Sequence, residues 1–352
     1  MSFTSVFLYP AVVWQLLAIN VLVPTPAPPV EIDSLSIPEI RTAIFVQSVQ
    51  QLLFNDSYHD ANKICDRFIR QSQSDPAGYL FKAATLLGEM GDAEENLYLE
   101  EFRKLVDTVF ELCETELNSA DSQQAAVLYL WQGHAHVYKS LWESKFGSIV
   151  SAIRHGFNAK SSYHNGLKYD SALYDLYFGL GNYHYWKTSK AGFLKTIGIV
   201  SDDIDKGMTE LKLAMDSARL FSEAAANAMI WIWLDRQQYD SAINLAQQML
   251  ANYPESRTIL WPLAAASFKN NDYENALTFY AELTEHYSKE PGNFYNLIEC
   301  CYYLYQCYEK LGRDIKKEEI LQQVSQFRPE IPSKIKKRQR SKLNYLRREL
   351  NR

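Results

Sequence analysis

The chain has 352 residues, and 36 lysines and arginines against 42 aspartates and glutamates give it a formal charge of −6. This mild acidity argues against a nucleic-acid footprint over the whole chain. A hydrophobic content of 47% excludes wholesale disorder, and 14 glycines and 12 prolines are too few for a collagen-like or low-complexity chain. At this length we expect either two domains or an elongated array of repeats.

Residues 1–30 contain no charged side chain, and Ala11 to Val23 form an apolar run interrupted only by Gln15 and Asn20. This run is shorter than the about 20 residues of a membrane-spanning helix and suits the apolar region of an export signal. We therefore predict an exported protein, periplasmic or associated with the cell envelope, that is cleaved near residues 23–30. An uncleaved anchor, and a cytoplasmic protein with a buried or disordered N-terminal extension, remain alternatives.

Beyond this segment the hydrophobic spacing predicts about seven helix pairs and no convincing strand. In chain order the predicted helices are 39–54 with 58–72, 76–89 with 97–117, 122–142 with 148–165, 174–187 with 202–218, 222–237 with 239–252, 256–269 with 273–287, and 293–311 with 316–327. Asp75 is predicted to cap the third helix, with Pro76 in its first turn. The segment between 188 and 201 is too apolar for a solvated loop, so we expect a short packed helix there.

The middle of the chain contains an internal repeat. Tyr239 aligns with Tyr273 and Ala242 with Ala276, and the match continues through the rest of both helices. We expect the two alanines to lie where the helices of one unit approach most closely. The offset of about 34 residues and the pattern resemble the tetratricopeptide repeat, a helix–turn–helix unit, although Ile230 stands where that repeat usually has glycine.

Residues 179–223 resemble a more specific group. The run Gly179 to Trp186, the apolar insertion and the glycine at Gly207 are similar to an exported bacterial tetratricopeptide-repeat family and, more distantly, to the tetratricopeptide-repeat protein 39 family. The resemblance covers about residues 35–330. It implies an all-α fold, an α-α superhelix or solenoid, that works as an interaction scaffold, and it supplies no catalytic residue.

Candidate chemistry is sparse. His134 and His136 point about 200° apart on a helix, so they cannot share one metal ion. Gly179 and Gly181 lack the third glycine and the strand of a dinucleotide site, so we expect them to allow close helix packing. Lysines near the insertion (Lys187, Lys190, Lys195 and Lys206) could bind an anion, but a solvated basic edge is the commoner outcome. We predict no cofactor, no metal and no enzymatic activity.

The five cysteines are odd in number and show no zinc or redox spacing, so we interpret them as buried free thiols. Cys300, Cys301 and Cys307 belong to one helical pattern. Neighbours on a helix cannot form a disulfide, and residues seven apart lie about 10 Å apart along the axis.

Aromatic residues offer a better functional hypothesis. In the repeat register the first helices of successive units line a concave face. Large rings on that face are not needed for packing between the helices. We predict a groove for a protein or peptide partner, with burial of some of these rings in the core as the alternative. The predicted groove residues are Phe178, Asn182, Tyr185, Trp186, Asn227, Trp231, Asp235, Trp261, Phe268, Lys269, Tyr295 and Tyr302, with Glu299 and Tyr303 beside them.

Residues 333–352 form a basic tail with nine lysines and arginines and one acidic residue. Ile335, Leu343, Leu346 and Leu350 follow helical spacing, so we predict a basic amphipathic helix. It either caps the last repeat, which we favour, or docks on anionic lipid as part of a membrane-associated assembly factor. Nucleic-acid binding is the least favoured role. The predicted organisation is therefore an N-terminal segment 1–30, a repeat domain 31–332 and the tail 333–352.

Overall fold

The computed structural model describes residues 38–190, 201–290 and 292–350, and all its regular elements within these ranges are helical. The predicted export segment 1–30 and the core of the apolar insertion, 191–200, lie outside the described residues. The α-helices are α1 Pro38–Phe54, α2 Tyr58–Gln71, α3 Pro76–Ala93, α4 Leu99–Leu117, α5 Ser122–Phe146, α6 Ile149–Tyr169, α7 Asp175–Lys190, α8 Ile204–Ser217, α9 Ser222–Asp235, α10 Tyr239–Leu250, α11 Arg257–Lys269, α12 Tyr273–Lys289, α13 Phe294–Lys310, α14 Asp314–Phe327, α15 Ser333–Arg338 and α16 Arg340–Leu350.

The fold is the predicted all-α one, a tetratricopeptide-like solenoid of consecutive helix pairs. Most predicted helix bounds agree closely with the structure, and Asp75 accepts a hydrogen bond from the backbone N–H of Ala77 at 2.9 Å, as a helix cap does. The helices α3, α5 and α6 each continue about one turn beyond the predicted end, because backbone hydrogen bonds extend a helix after its apolar pattern has faded.

The chain divides into two compact units. Among the described residues, unit 1 contains 38–91 and 96–229, whereas unit 2 contains 92–95 and 230–350. The boundary between the units falls within the predicted repeat domain, and the tail belongs to unit 2. The short segment 92–95, at the end of α3, therefore packs with helices far along the sequence.

One type of turn joins the helices of four pairs. Asp56, Gln237, Asn271 and Gly312 each adopt a positive φ of 53° to 67° at a helix C-terminus. In each turn the N–H of the left-handed residue donates to the carbonyl three residues earlier, and the next N–H donates to the carbonyl five residues before itself. This is the Schellman motif, which satisfies the free carbonyls at the end of a helix. The turns at Gln237 and Asn271 lie one sequence period apart, so the structure repeats with the period of the sequence.

In unit 1 glycines make room for a neighbouring ring and a neighbouring backbone. A methyl group on Gly133 or on Gly179 would lie 2.2 Å from the ring of Tyr163, and one on Gly181 would lie 2.8 Å from the carbonyl oxygen of Gly207. Tyr163 thus packs into the space that two glycines leave, and α7 and α8 meet at a glycine–glycine contact. The prediction that Gly179 and Gly181 allow close packing is confirmed.

In unit 2 the close approach depends on alanine instead. Ala242 on α10 and Ala276 on α12 are fully buried, as the repeat register requires. All five cysteines of the chain are free and buried, three of them on α13, which confirms their interpretation as core thiols. Burial raises the pKa of Cys301 and of Cys307 to about 12, so both thiols stay protonated at neutral pH.

Candidate binding surfaces

The predicted groove residues of unit 1 are mostly part of its core. Phe178, Asn182, Tyr185 and Asn227 are buried, none of them more than 8% exposed, and Trp186 is half-buried. The expectation that the first four side chains face an open groove is therefore wrong. For those on α7 the reason is that this helix packs against α5, α6 and α8. A helix with neighbours on several sides has few positions left for solvent.

The core around α7 is aromatic. Phe178 stacks on Phe221 with ring centroids 5.5 Å apart, and the imidazole of His134 lies 4.2 Å from the ring of Phe221. The carboxylate of Asp175 holds the backbone of this segment, because it accepts the N–H groups of Leu220 at 2.7 Å and of Phe221 at 2.9 Å. Phe178 is thus a core residue of unit 1 and not a residue of a binding surface.

Several buried polar atoms of unit 1 have no hydrogen-bond partner. Among the predicted groove residues these are both amide atoms of Asn227, the side-chain oxygen of Asn182 and the indole nitrogen of Trp186. An unpartnered buried amide costs about 1–3 kcal/mol of stability. Asn227 is therefore a liability for folding as the chain stands.

In unit 2 the predicted groove residues fall into three groups. Trp231 and Tyr295 are buried, 7% and 6% exposed, so their predicted exposure is also wrong. Tyr295 belongs to the apolar core of the unit. Asp235 and Lys269 are exposed. The remaining three, Trp261, Phe268 and Tyr302, are half-buried.

Five half-buried rings of unit 2 are linked by ring contacts, and we call them the aromatic band: Trp261, Phe268, Tyr302, Tyr303 and Tyr345. The ring centroids of Phe268 and Tyr303 are 5.2 Å apart, those of Tyr302 and Tyr303 are 5.3 Å apart, and those of Tyr302 and Tyr345 are 5.5 Å apart. Trp261 joins the band through the buried ring of Tyr280, which stacks on Tyr303 at 4.9 Å. The sequence patterns do not predict Tyr345 as a site residue, because the helical spacing of the tail is carried by its aliphatic residues.

Polar groups hold the band in place. The Lys342 ammonium pairs with Glu299 at 3.0 Å and lies 5.5 Å from the ring centroid of Tyr302. Burial raises the pKa of Tyr302 and of Tyr345 above the usual value, so both hydroxyls stay neutral near pH 7 and can donate hydrogen bonds.

A buried network in unit 2 orients Trp261. Its indole N–H donates to the hydroxyl of Tyr287 at 3.0 Å, and that hydroxyl donates to the carboxylate of Asp92 at 2.7 Å. The guanidinium of Arg257 binds the other carboxylate oxygen of Asp92 at 2.6 Å and reaches Glu290 at 3.0 Å. Burial raises the pKa of Asp92 above its usual value, against the opposing effect of the Arg257 charge. A ring tied to such a network loses little freedom when a ligand binds.

The tail packs on unit 2. Ile335, Leu343 and Leu346 are buried in one apolar cluster with residues of α13 and α14, whereas Leu350 is 45% exposed. The predicted single helix is in fact two, α15 and α16. They are separated by Gln339, a buried residue whose amide donates to the backbone carbonyl of Tyr295 at 3.1 Å and to Glu299 at 2.9 Å. The apolar stripe thus seals the last helix pair, as expected for a cap.

A cleft with basic walls lies between this tail and α14. It encloses about 420 Å³ and is lined by Ser325, Arg328, Pro329, Lys336, Arg340, Leu343 and Asn344.

The other basic candidate site, near the insertion, has lysines with acidic neighbours. Lys187 is paired with Asp203, and Lys206 lies 3.9 Å from Glu210. Those two lysines have acidic neighbours that neutralise their charge, so they do not form the anion site that the sequence offered as a possibility.

The histidines of α5 contact different neighbours. His134 meets Tyr163, whereas His136 meets His155 with 3.2 Å between the two ring nitrogens. Within the described ranges no group of three or more histidine, cysteine or acidic side chains could hold a metal ion. Among the same residues no helix is both long and apolar enough to cross a membrane.

Comparisons with known proteins agree with this geometry. The tetratricopeptide-repeat family model matches residues 234–299, which contain α10, α11 and α12. No curated protein sequence matches the chain. Among solved structures, a chain of "Crystal structure of APC/C hetero-tetramer Cut9-Hcn1" superposes on 90% of this chain with a TM-score of 0.51 and 13% identity. The match covers 52% of that chain, so this protein spans about half its length. Such low identity shows the fold alone.

The comparisons define the fold class, a tetratricopeptide-like solenoid. The finer resemblances, to an exported bacterial family and to the tetratricopeptide-repeat protein 39 family, stay predictions.

Proposed function

We propose that this protein is a non-enzymatic scaffold that binds an extended peptide or a helix of a partner protein on the aromatic band of unit 2. The observation that carries the proposal is the chain of ring contacts within the band. Its five rings are half-buried, contact one another directly or through Tyr280, and come from α11, α13 and α16. Half-buried aromatic rings supply contact area at low cost in side-chain entropy and are enriched at binding hot spots.

The band replaces the wider groove that the sequence predicts. Phe178, Tyr185, Trp231 and Tyr295 are excluded because a partner cannot reach buried rings. Lys269 is exposed on α11, which also supplies Trp261 and Phe268, and can contact polar groups of a partner beside the band. Asp235 is exposed on α9, which supplies no ring of the band.

The test is capture of partners from the native cells with full-length protein, followed by mass spectrometry. The variant Phe268→Ala with Tyr302→Ala should lose the partner that wild type retains, because truncated hot-spot rings cost about 2 kcal/mol or more each. The matched control is Tyr169→Ala with Phe157→Ala, two exposed rings of unit 1, which should retain it. Retention by both variants would show that the band is not the binding surface.

Anionic lipid is a less favoured partner for the tail. A membrane-binding amphipathic helix inserts its apolar face among the lipids, and here Ile335, Leu343 and Leu346 are already covered. Only the basic side chains remain for such a surface.

A further inference from the structure

The cleft between the tail and α14 combines three cations whose charged groups have no partner. Arg328, Lys336 and Arg340 line it, and in the described part of the chain none of their side chains forms an ion pair or a hydrogen bond. Ser325 and Asn344 add a hydroxyl and an amide, and no acidic residue is among the lining residues.

Neighbouring cations of unit 2 are used differently. Arg338 pairs with Glu94 and lies 4.1 Å from the ring centroid of Tyr295, and Lys342 pairs with Glu299 at 3.0 Å. Arg338 and Lys342 thus attach the tail to the unit, whereas Lys336 and Arg340, together with Arg328 just before the tail, line the cleft without an acidic partner.

Three like charges around one concavity repel each other, and an anion placed among them relieves this repulsion. A phosphate monoester fits best. It carries a charge of about −1.5 to −2 at pH 7 and offers three acceptor oxygens, which two guanidinium groups can bind in bidentate fashion. The cavity volume of about 420 Å³ lies within the range of small-ligand pockets and exceeds the needs of a bare phosphate. Pro329, which is exposed, adds apolar surface for the atoms next to it.

We propose that this cleft is a second binding site, which takes a phosphorylated side chain of a partner protein. The choice of a peptide over a membrane lipid rests on the proposed scaffold role and on the burial of the tail's apolar stripe. The site is defined by residues other than those of the aromatic band, so either can fail without the other.

The experiment uses full-length protein and peptide libraries with a fixed central phosphoserine, phosphothreonine or phosphotyrosine and random flanks, next to unphosphorylated versions. Wild type should retain at least one phosphorylated library and bind peptides selected from it. The variant Lys336→Gln with Arg340→Gln should weaken that binding about tenfold or more, the equivalent of one lost charge-assisted hydrogen bond.

The matched control is Lys334→Gln with Arg347→Gln, which removes the same charge from exposed tail positions that do not line the cleft. It should bind within about threefold of wild type, because exposed charges outside a site act only through a screened field. The band variant Phe268→Ala with Tyr302→Ala should also keep phosphopeptide binding.

Three results would overturn the proposal. The first is that wild type binds no phosphorylated library better than its unphosphorylated version. The second is that the cleft variant and its charge-matched control lose phosphopeptide binding equally. The third is that wild type binds phosphatidylserine vesicles through Lys336 and Arg340 but does not bind the phosphopeptides, since the site would then be one for lipid.

Discussion

The aromatic residues of the two units have different roles. In unit 1, Phe178 and Phe221 stack inside the core, and Tyr163 fills the space left by two glycines. In unit 2, Phe268 and Tyr302 have a similar chemical character yet remain half-buried. Phe178 lies on a helix that packs against α5, α6 and α8, whereas Phe268 lies on α11, which packs mainly against α10 and α12. Aromatic content by itself therefore does not identify a binding surface.

The sharpest test of this comparison is the stability of Trp231 and Phe268 variants. Trp231→Ala should cost about 3–5 kcal/mol in the free energy of unfolding, because it empties a buried volume. Phe268→Ala should cost clearly less, since part of the ring is already in water. Urea denaturation of both variants measures the difference. Equal costs would mean that the band is core as well.

The second test compares the close helix contacts at glycine in unit 1 with those at alanine in unit 2. Ala276→Leu in unit 2 and Gly179→Ala in unit 1 both add volume where no space exists, and each should destabilise by about 1–3 kcal/mol. The glycine variant adds one carbon atom and the alanine variant adds three. A similar loss in the free energy of unfolding for both would therefore show that the helix contact in unit 1 has less free space than that in unit 2. A wild-type melting temperature for Ala276→Leu would contradict the repeat register.

Two histidines of unit 1 should contribute to the pH dependence of stability. Burial lowers the pKa of His134 to about 3 and that of His136 to about 4, below the usual value near 6.5. Between these values the unfolded chain binds protons that the folded chain does not. Stability therefore falls as the pH falls below about 6.5, by up to about 1.4 kcal/mol per pH unit for each imidazole. Burial raises the pKa of Asp75 and Asp175, which acts in the opposite direction.

The measurement is the free energy of unfolding at several pH values between about 5 and 7. The His134→Gln variant should show a flatter dependence than wild type, whatever its stability at pH 7. An unchanged slope would mean that the imidazole is not kept neutral by burial.

The next prediction concerns the stability cost of the buried, unpartnered amide of Asn227. Because neither amide atom is hydrogen-bonded, Asn227→Leu should leave stability unchanged or raise it by about 1 kcal/mol. Calorimetry of the variant measures this effect. A large loss of stability would show that the amide has a partner in solution.

Local patterns predicted the helices, the repeat and the buried thiols well, because each of these depends on neighbours within one helix pair. The repeat period placed Tyr239, Tyr273, Ala242 and Ala276 correctly. Exposure was predicted poorly, since it depends on third and fourth helices that the period does not specify. Phe178 is covered by Phe221, which lies far along the chain, and the tail breaks at Gln339 to meet a backbone carbonyl of α13.

The smallest expected effect concerns the turns, which occur in both units. Gln237 and Gly312 occupy the same left-handed position of the same motif, with φ values of 61° and 67°. A left-handed conformation costs a residue with a side chain about 1–2 kcal/mol, whereas glycine adopts it freely. Part of this difference is offset, because glycine has more freedom to lose when the unfolded chain folds.

Gln237→Gly should therefore stabilise by a few tenths to about 1 kcal/mol. Gly312→Ala should destabilise by a similar amount, because a methyl group there meets nothing within 4 Å and the effect is purely conformational. Changes of opposite sign in the two variants, measured by urea denaturation, would establish that the turns are equivalent. Changes of the same sign would show that the shared hydrogen-bond pattern does not imply shared energetics.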